Sequence, residues 1–373
     1  MRLEEGGVVK AVLDLCTMSQ HNDEVGLATF DPSGTPSEWL DPDTTTTRVH
    51  NLTGSGHDKT LSKQQRQQLR TIIDQYDVVH LHSMWSPVNP AVASICKAIA
   101  KPYVLSVHGM LDDWCMSQRK LKKIIYMKSM GRNLLRDASV IHCTAQAELD
   151  QASAWFTPSK GCVVPLPFDL EEYKEMPEPA LAYEAFDQLD PDLPKVLFLS
   201  RIHYKKGVDR LIQASALLAK RGIKHQLVIA GTGDEPYVSE MKALAKSTGV
   251  DGHTYFLGFA SGQAKIALFG ECDVFALPTS QENFGFVFFE ALAAGTTVLT
   301  TKGTDTWAEI EQSGGGVIVE NTPEAFAIGL EKILNDRDGF RSRAQGARER
   351  IFVEMTVAKV RDQYQSMYAS CLA

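Results

Sequence analysis

The chain has 373 residues, 44% of them hydrophobic and 23% charged, with a net charge of −8. That length allows two globular domains with sizeable cores, and the acidic balance argues against a general nucleic-acid binder. No apolar run reaches the ~18 residues of a membrane-spanning helix. The opening MRLEEGGVVK lacks the apolar core of a signal peptide, and seven scattered cysteines without a CxxC pair fit reduced thiols in a cytoplasm.

Short apolar runs then alternate with helical patterns. YDVVHLHS (76–83) reads as a buried strand, PAVASICKAIA (90–100) as a helix and KPYVLSVHG (101–109) as the next strand. SQRKLKKIIYMKSMGRNLLR (117–136) carries Arg119, Lys120, Lys122, Lys123, Lys128, Arg132 and Arg136 without an acid, interleaved with Leu121, Ile124, Ile125, Met127 and Leu134. A basic amphipathic helix of this kind can lie on an anionic membrane face or guide an anionic lipid-linked acceptor; a solvated helix covering the sheet is the competing reading. ASVIHCT (138–144) and GCVVPLP (161–167) are further strands. The stretch to Pro194 is rich in proline and acids, as a linker is. The rhythm restarts at KVLFLSR (195–201). GVDRLIQASALLAKRG follows as a helix, HQLVIAGTG (225–233) as a strand with a glycine turn, and EPYVSEMKALAKSTG as a helix. HTYFLGF (253–259), CDVFALPTS (272–280), TTVLTTKG (296–303) and GGVIVE (315–320) are strands. The expectation is α/β, with two Rossmann-like parallel-sheet domains, 1–170 and 195–354, joined by a linker at 171–194.

Doubly wound sheets bind ligands at the carboxyl ends of their strands. Polar and glycine residues gather there in both halves: His82, His108, Arg201, Gly231 to Gly233, Ser280 to Gly285 and Gly303. One cleft between two facing sheets is therefore expected. In SRIHYKKG (200–207), Arg201 and Lys206 sit where a strand runs into a helix N-terminus, a place that attracts anions, so together they suit a diphosphate. Two solvated surface charges would read the same way. QENFGFVFFEALAAGTTVLTT (281–301) keeps Glu282 and Glu290 in a segment otherwise bound for a core, where an unpaired charge is costly. Glu282 falls in the strand-to-helix loop and Glu290 inside the helix. The backbone N–H groups of Asn283, Phe284 and Gly285 open toward an anion. Carboxylates suit sugar hydroxyls, which donate to them. A capping Glu and a helix-surface Glu are the plain alternative.

Together, SRIHYKKG, IAGTGDE, FLGF and PTSQENFGFVFFEALAAGTTVLTTKGT resemble glycosyltransferase family 4 in order and spacing. The resemblance extends to EEGGVVKAVLDLC, DVVHLHSMWSP, PYVLSVHGMLDDW and CVVPLPFDLEEY, and so covers nearly the whole chain. HGMLDDW and TKGTDTWAEI are similar to bacterial members that assemble polysaccharides. The family implies the GT-B fold, with an acceptor-side N-terminal domain and a nucleotide-sugar domain after it. It implies a retaining, metal-independent hexosyltransferase that uses a nucleotide-sugar, UDP- or GDP-linked, as substrate and no cofactor. Arg201 and Lys206 would bind the donor diphosphate and help it leave. Glu290 would hold the ribose, and Glu282 with the N–H groups of Asn283, Phe284 and Gly285 would hold the sugar. Gly7, Gly231 and Gly233 would let backbone approach the donor, and His108 would lie beside the reacting sugar. The acceptor would be a glycan or a lipid-linked hydroxyl compound, in polysaccharide or glycolipid synthesis, on the cytoplasmic side of a membrane. The tail at 355–373 is expected as a helix packed on the N-terminal domain.

Two departures stand out. The family has an apolar strand before its glycine loop, and here Gly6 follows the start by five residues, so that strand is expected to be missing. PFD (167–169) replaces the common NGVD. The DPD turns at 41–43 and 190–192 make no metal site. Two other readings stay open at this point: a sugar-nucleotide epimerase of the same fold, and a non-catalytic nucleotide-sugar-binding scaffold.

Overall fold

The computed structural model describes residues 7–41, 43, 46–52, 54 and 61–373. The chain divides into two compact units, one of residues 1–168 with 357–373 and the other of residues 169–356.

In the first unit, β1 (Gly26–Thr29) and β2 (Arg48–Asn51) form a parallel pair. β3 (Val79–His82), β4 (Tyr103–Ser106), β5 (Val140–Cys143) and β6 (Gly161–Val163) form a parallel sheet in that order. Successive side chains of a strand face opposite ways, and β4 shows the consequence. Tyr103 and Leu105 join a core with Val92, Ile95 and Cys96 of the helix Asn89–Ala98. Val104 joins the opposite layer, with Leu15 and Met18 of the helix Gly7–Ser19. Val360, Tyr364 and Met367 complete that layer; their spacing of four and three puts them on one face of the terminal helix Val357–Leu372. The strand expected ahead of the glycine loop concerns residues 1–6, which lie outside the described residues.

The basic stretch 117–136 is not one helix. A helix Asp113–Ser117 ends, Arg119 takes a left-handed conformation (φ 50°), and a helix Lys120–Tyr126 begins. A π turn, Met127–Gly131, then leads into the helix Arg132–Asp137. Met127, Leu134 and Leu135, spaced by seven and one, all pack into the core of this unit.

The second unit holds β7 (Lys195–Leu199), β8 (Gln226–Ala230), β9 (Thr254–Gly258), β10 (Val274–Leu277), β11 (Thr297–Thr300) and β12 (Gly316–Ile318). All pairs are parallel, in the order β12-β11-β10-β7-β8-β9. Central strands of a parallel sheet are covered on both faces and read as unbroken apolar runs. VLFL of β7, LVIA of β8 and VFAL of β10 do so. The chain runs outward from β7 to β9, then restarts beside β7 and runs the other way from β10 to β12. The strand order therefore reverses between β7 and β10, and a crevice opens at their carboxyl ends. The segments that leave those two ends are 200–207 and 278–285. Residues 171–194 pack in this unit, with a helix Ala180–Ala185 and buried Phe186 and Leu189.

Candidate functional site

At the reversal point, backbone packing sets the positions first. Ile202 donates its N–H to the Thr232 carbonyl at 2.8 Å and bridges to Gly233. A Cβ at Gly231 would stand 1.9 Å from the Ser200 carbonyl oxygen, and one at Gly233 would stand 2.2 Å from that of Ile202. These glycines let the loops after β7 and β8 lie backbone to backbone. A short turn, Tyr204–Lys206, then meets Gly207, left-handed at φ 74°, which opens the helix Val208–Lys220. The loop after β10 is tied onto this turn. Ser280 N–H donates to the Lys205 carbonyl at 2.8 Å, and Arg210 Nη2 donates to the Pro278 carbonyl at 2.8 Å and to Ser280 Oγ at 3.1 Å.

The backbone of Glu282 is fixed on both sides. Its N–H donates to the Gly303 carbonyl at 2.7 Å, and its own carbonyl accepts from the Asp305 N–H at 3.0 Å. The side chain forms an ion pair with the Lys206 ammonium. Asn283 Nδ2 donates to Asp305 Oδ2 at 3.1 Å. Phe284 turns its ring inward, stacked on Phe289 with centroids 4.9 Å apart. Gly285 is left-handed at φ 67° and opens the helix Phe286–Ala293. Among the described residues, no acceptor takes the backbone N–H groups of Asn283, Phe284 and Gly285. In the second turn of that helix, Glu290 Oε1 meets Lys265 Nζ at 3.0 Å. Each glutamate in this apolar segment thus has a lysine.

Burial draws the Lys206 ammonium down to about 7, helped by the charges of Lys205 and Arg201, and the paired Glu282 carboxylate opposes this. Arg201 is exposed and has no ion-pair or hydrogen-bond partner among the described residues. Two cations, one of them buried, therefore stand at the start of a helix and beside a run of open N–H groups. That arrangement can hold an oxyanion and stabilise negative charge that grows on it.

The structure gathers Arg201, Lys206, Gly231, Gly233, Glu282, Asn283, Phe284, Gly285 and Glu290 in the second unit. Gly7 and His108 belong to the first. Gly7 opens its helix, and a Cβ there would touch nothing within 4 Å. His108 follows β4 with a left-handed backbone (φ 52°), and its Nε2 lies 3.0 Å from His82 Nδ1. The Glu148 carboxylate, buried, accepts from the N–H groups of Gly109 and Thr144 and so pins the turn that carries His108.

Several groups escaped the sequence reading. Lys265 is a single lysine on a helix and gave no signal. The helix-borne Arg210, which ties the two loops, gave none either. His80 and His82 are two apart on one strand, which puts them on one face, and their rings stack at 4.3 Å. Their link to His142 depends on strand register, through Ser106.

Two family descriptions match: Glycosyltransferase Family 4 over residues 5–172 and Glycosyl transferases group 1 over residues 183–350. An uncharacterized glycosyltransferase of Methanocaldococcus jannaschii is 29% identical over 281 residues, 72% of this chain and 68% of that protein. A GDP-mannose-dependent alpha-(1-6)-phosphatidylinositol monomannoside mannosyltransferase of Mycobacterium tuberculosis is 26% identical over 298 residues, 76% of this chain and 74% of that one. Matched stretches span about half to three quarters of the length of the first relatives. The crystal structure of Anabaena HepE in complex with UDP superposes with a TM-score of 0.78 at 20% identity, covering 98% of this chain and 96% of that one. That likeness carries the fold.

Proposed function

Because the chain belongs to glycosyltransferase family 4 and has its GT-B fold, we propose that it moves a hexose, with retention and without a metal, from a nucleotide-sugar to a hydroxyl acceptor in polysaccharide or glycolipid synthesis. The observation that carries this reading is the meeting of Lys206, Glu282 and the open N–H groups of 283–285 where the strand order reverses. In this reading Arg201 and Lys206 hold the donor diphosphate. Glu282 and the N–H groups of Asn283, Phe284 and Gly285 hold the sugar, and Glu290 holds the ribose. Gly7, Gly231 and Gly233 allow close backbone approach, and His108 stands beside the reacting sugar. The bond from the anomeric carbon to the diphosphate breaks, and the acceptor oxygen bonds to that carbon on the same face. The acceptor proton passes to the departing phosphate oxygen. Charge grows on the diphosphate as the bond lengthens, and the two cations meet it without needing to reorganise.

The relatives' names favour a UDP- or GDP-linked donor and an acceptor that is a glycan or a lipid. The test is thermal stabilisation by a panel of UDP-, GDP- and ADP-sugars. One donor is expected to raise Tm, and Glu290→Ala is expected to remove that rise. No rise with any donor would count against the reading.

A peripheral contact with the cytoplasmic face of a membrane belongs to the same proposal. Leu121 is 72% exposed and Ile125 59%, one turn apart, with Lys120, Lys122, Lys128 and Arg132 exposed around them. Apolar side chains within a basic ring suit an anionic interface. Leu121→Glu with Ile125→Glu should weaken binding to phosphatidylglycerol vesicles about tenfold. Equal binding by variant and parent would remove the membrane from the proposal. No helix among the described residues is long and apolar enough to cross a membrane.

A further inference from the structure

We propose that Lys265 is a positioning residue for Glu290, fixing the orientation in which that carboxylate reads the hydroxyls of a ribose. This rests on the donor-site reading of Glu290. Lys265 lies on the helix Gly262–Glu271, and Glu290 lies on the helix Phe286–Ala293. The pair is therefore not the local three- or four-residue pairing that decorates helix surfaces and contributes little. The side chains are only 21% and 18% exposed, so water screens the contact weakly.

A second contact fixes the ammonium further. Lys265 Nζ stands 5.9 Å from the ring centroid of Tyr173, within the range of a cation–π contact. Tyr173 is itself almost wholly buried, and its hydroxyl has no hydrogen-bond partner among the described residues. Burial first, and then the nearby Glu290 charge, raises its pKa, so the phenol keeps its proton at neutral pH. A buried hydroxyl without a partner is uncommon and marks a polar site with unspent capacity. Lys265, Tyr173 and Glu290 together make such a site at the second turn of the helix.

The choice of ligand group follows from charge. A carboxylate accepts from hydroxyls and repels phosphate, so Glu290 suits the diol of a ribose. Both carboxylate oxygens must point at that diol for two bonds to form. A flexible glutamate gives up side-chain entropy to do so, and an ammonium at 3.0 Å that holds one oxygen reduces this cost. Removing Lys265 should therefore weaken ribose recognition and leave the diphosphate contacts of Arg201 and Lys206 alone.

The discriminating probe is the missing hydroxyl. UDP, GDP and ADP are titrated calorimetrically, followed by the 2′-deoxy form of the tightest binder, into the parent protein, Lys265→Met, Lys265→Arg, Glu290→Gln and the double variant. Lys265→Met is expected to weaken the ribonucleotide about tenfold and the 2′-deoxy form less than about threefold, so the ribose preference shrinks. Lys265→Arg should restore most of the loss, and Lys265→Met should add little to Glu290→Gln. Equal loss for both nucleotides would overturn the proposal, as would a full additional loss on top of Glu290→Gln. If Glu290→Gln alone binds all three nucleotides as the parent does, the donor-site reading of Glu290 falls, and the role of Lys265 falls with it. Tm is read on each variant, and Lys265→Gln replaces the methionine variant if that one does not fold.

Discussion

Replacing Lys206 by methionine is expected to lower kcat/KM for the nucleotide-sugar by about a thousandfold while leaving the protein folded. The ammonium is buried at the mouth of the helix Val208–Lys220, with Lys205 and Arg201 close enough to act on its charge. A preorganised cation in a place shielded from water is worth most when the charge it meets is still growing, as on a departing diphosphate. Its ground-state partner is Glu282, so a donor that engages Glu282 through sugar hydroxyls frees the ammonium for phosphate. The fold should tolerate the change because two terms offset. Burying the ammonium is unfavourable, as its lowered pKa records. The carboxylate left behind is the more exposed partner, at 24% against 11%, and water can reach it. Donor turnover and Tm measured on the same preparation check both halves. A kcat/KM within about tenfold of the parent would contradict the role given to Lys206.

Acid should destabilise the unit that carries β3, β4 and β5 well before ordinary carboxylates titrate. Four histidines meet there, two of them in a hydrogen-bonded chain whose proton positions can be worked out. His142 Nε2 is 2.8 Å from the Val164 carbonyl, which can only accept, so that nitrogen carries its proton. His142 Nδ1 then accepts from Ser106 Oγ at 2.6 Å. Ser106 Oγ accepts from His80 Nε2 at 2.7 Å, and His80 Nδ1 accepts from Tyr368 of the terminal helix at 2.8 Å. Every bond is satisfied with both rings neutral, and a proton added to His80 Nδ1 or His142 Nδ1 would take away the acceptor that the Tyr368 or Ser106 hydroxyl now donates to. His82 and His108 form a second pair, with His82 stacked on His80. The other titratable groups beside this cluster are Tyr364, 5.3 Å from the His142 ring, the carboxylates of Glu148 and Asp23, and the neutral thiols of Cys162, Cys16 and Cys371, which neighbour Tyr364 and Tyr368.

Burial lowers all four histidines: His142 to about 4, His82 to about 3, and His80 and His108 well below the ordinary 6.5. The sign follows from these shifts. Below pH 6.5 the unfolded chain binds protons that the folded one refuses, so stability is complete above 6.5 and is lost as pH falls toward 4. The buried His108 and His142 each contribute up to about 1.4 kcal/mol per pH unit in that window, and the half-buried His80 and His82 contribute less. Urea unfolding at pH 7, 6, 5.5 and 5 should therefore show a steep loss, and His142→Gln or His80→Gln should flatten it by about one proton. A stability unchanged from pH 7 to 5 would rule out a neutral cluster.

The strands were legible because a parallel sheet covered on both faces leaves apolar runs, as in VLFL and VFAL, that few other structures produce. Arg201, Lys206, Glu282 and Glu290 were legible for a related reason, since each lies just past a strand end or in the helix that follows it. The partners were not. Lys265 reaches Glu290 from another helix, and Tyr173 comes from beyond the strands altogether. The pairing of His142 with His80 needs the register that sets Ser106 opposite His142. The basic stretch 117–136 misled because its composition suits one continuous helix. The left-handed residue Arg119 and the π turn at Met127–Gly131 that divide it leave no mark in composition.

Glu282 and Glu290 persist in an apolar segment because lysines hold them at the place where, in the proposed function, sugar and ribose hydroxyls would meet them. The most direct measurement of that claim follows UDP- and GDP-hexoses by NMR during slow turnover with water as acceptor. The account predicts release of nucleoside diphosphate together with a hexose whose first-formed anomer keeps the donor's configuration, and loss of both signals in Glu282→Ala. Release of the opposite anomer, or equal turnover by Glu282→Ala, would contradict it.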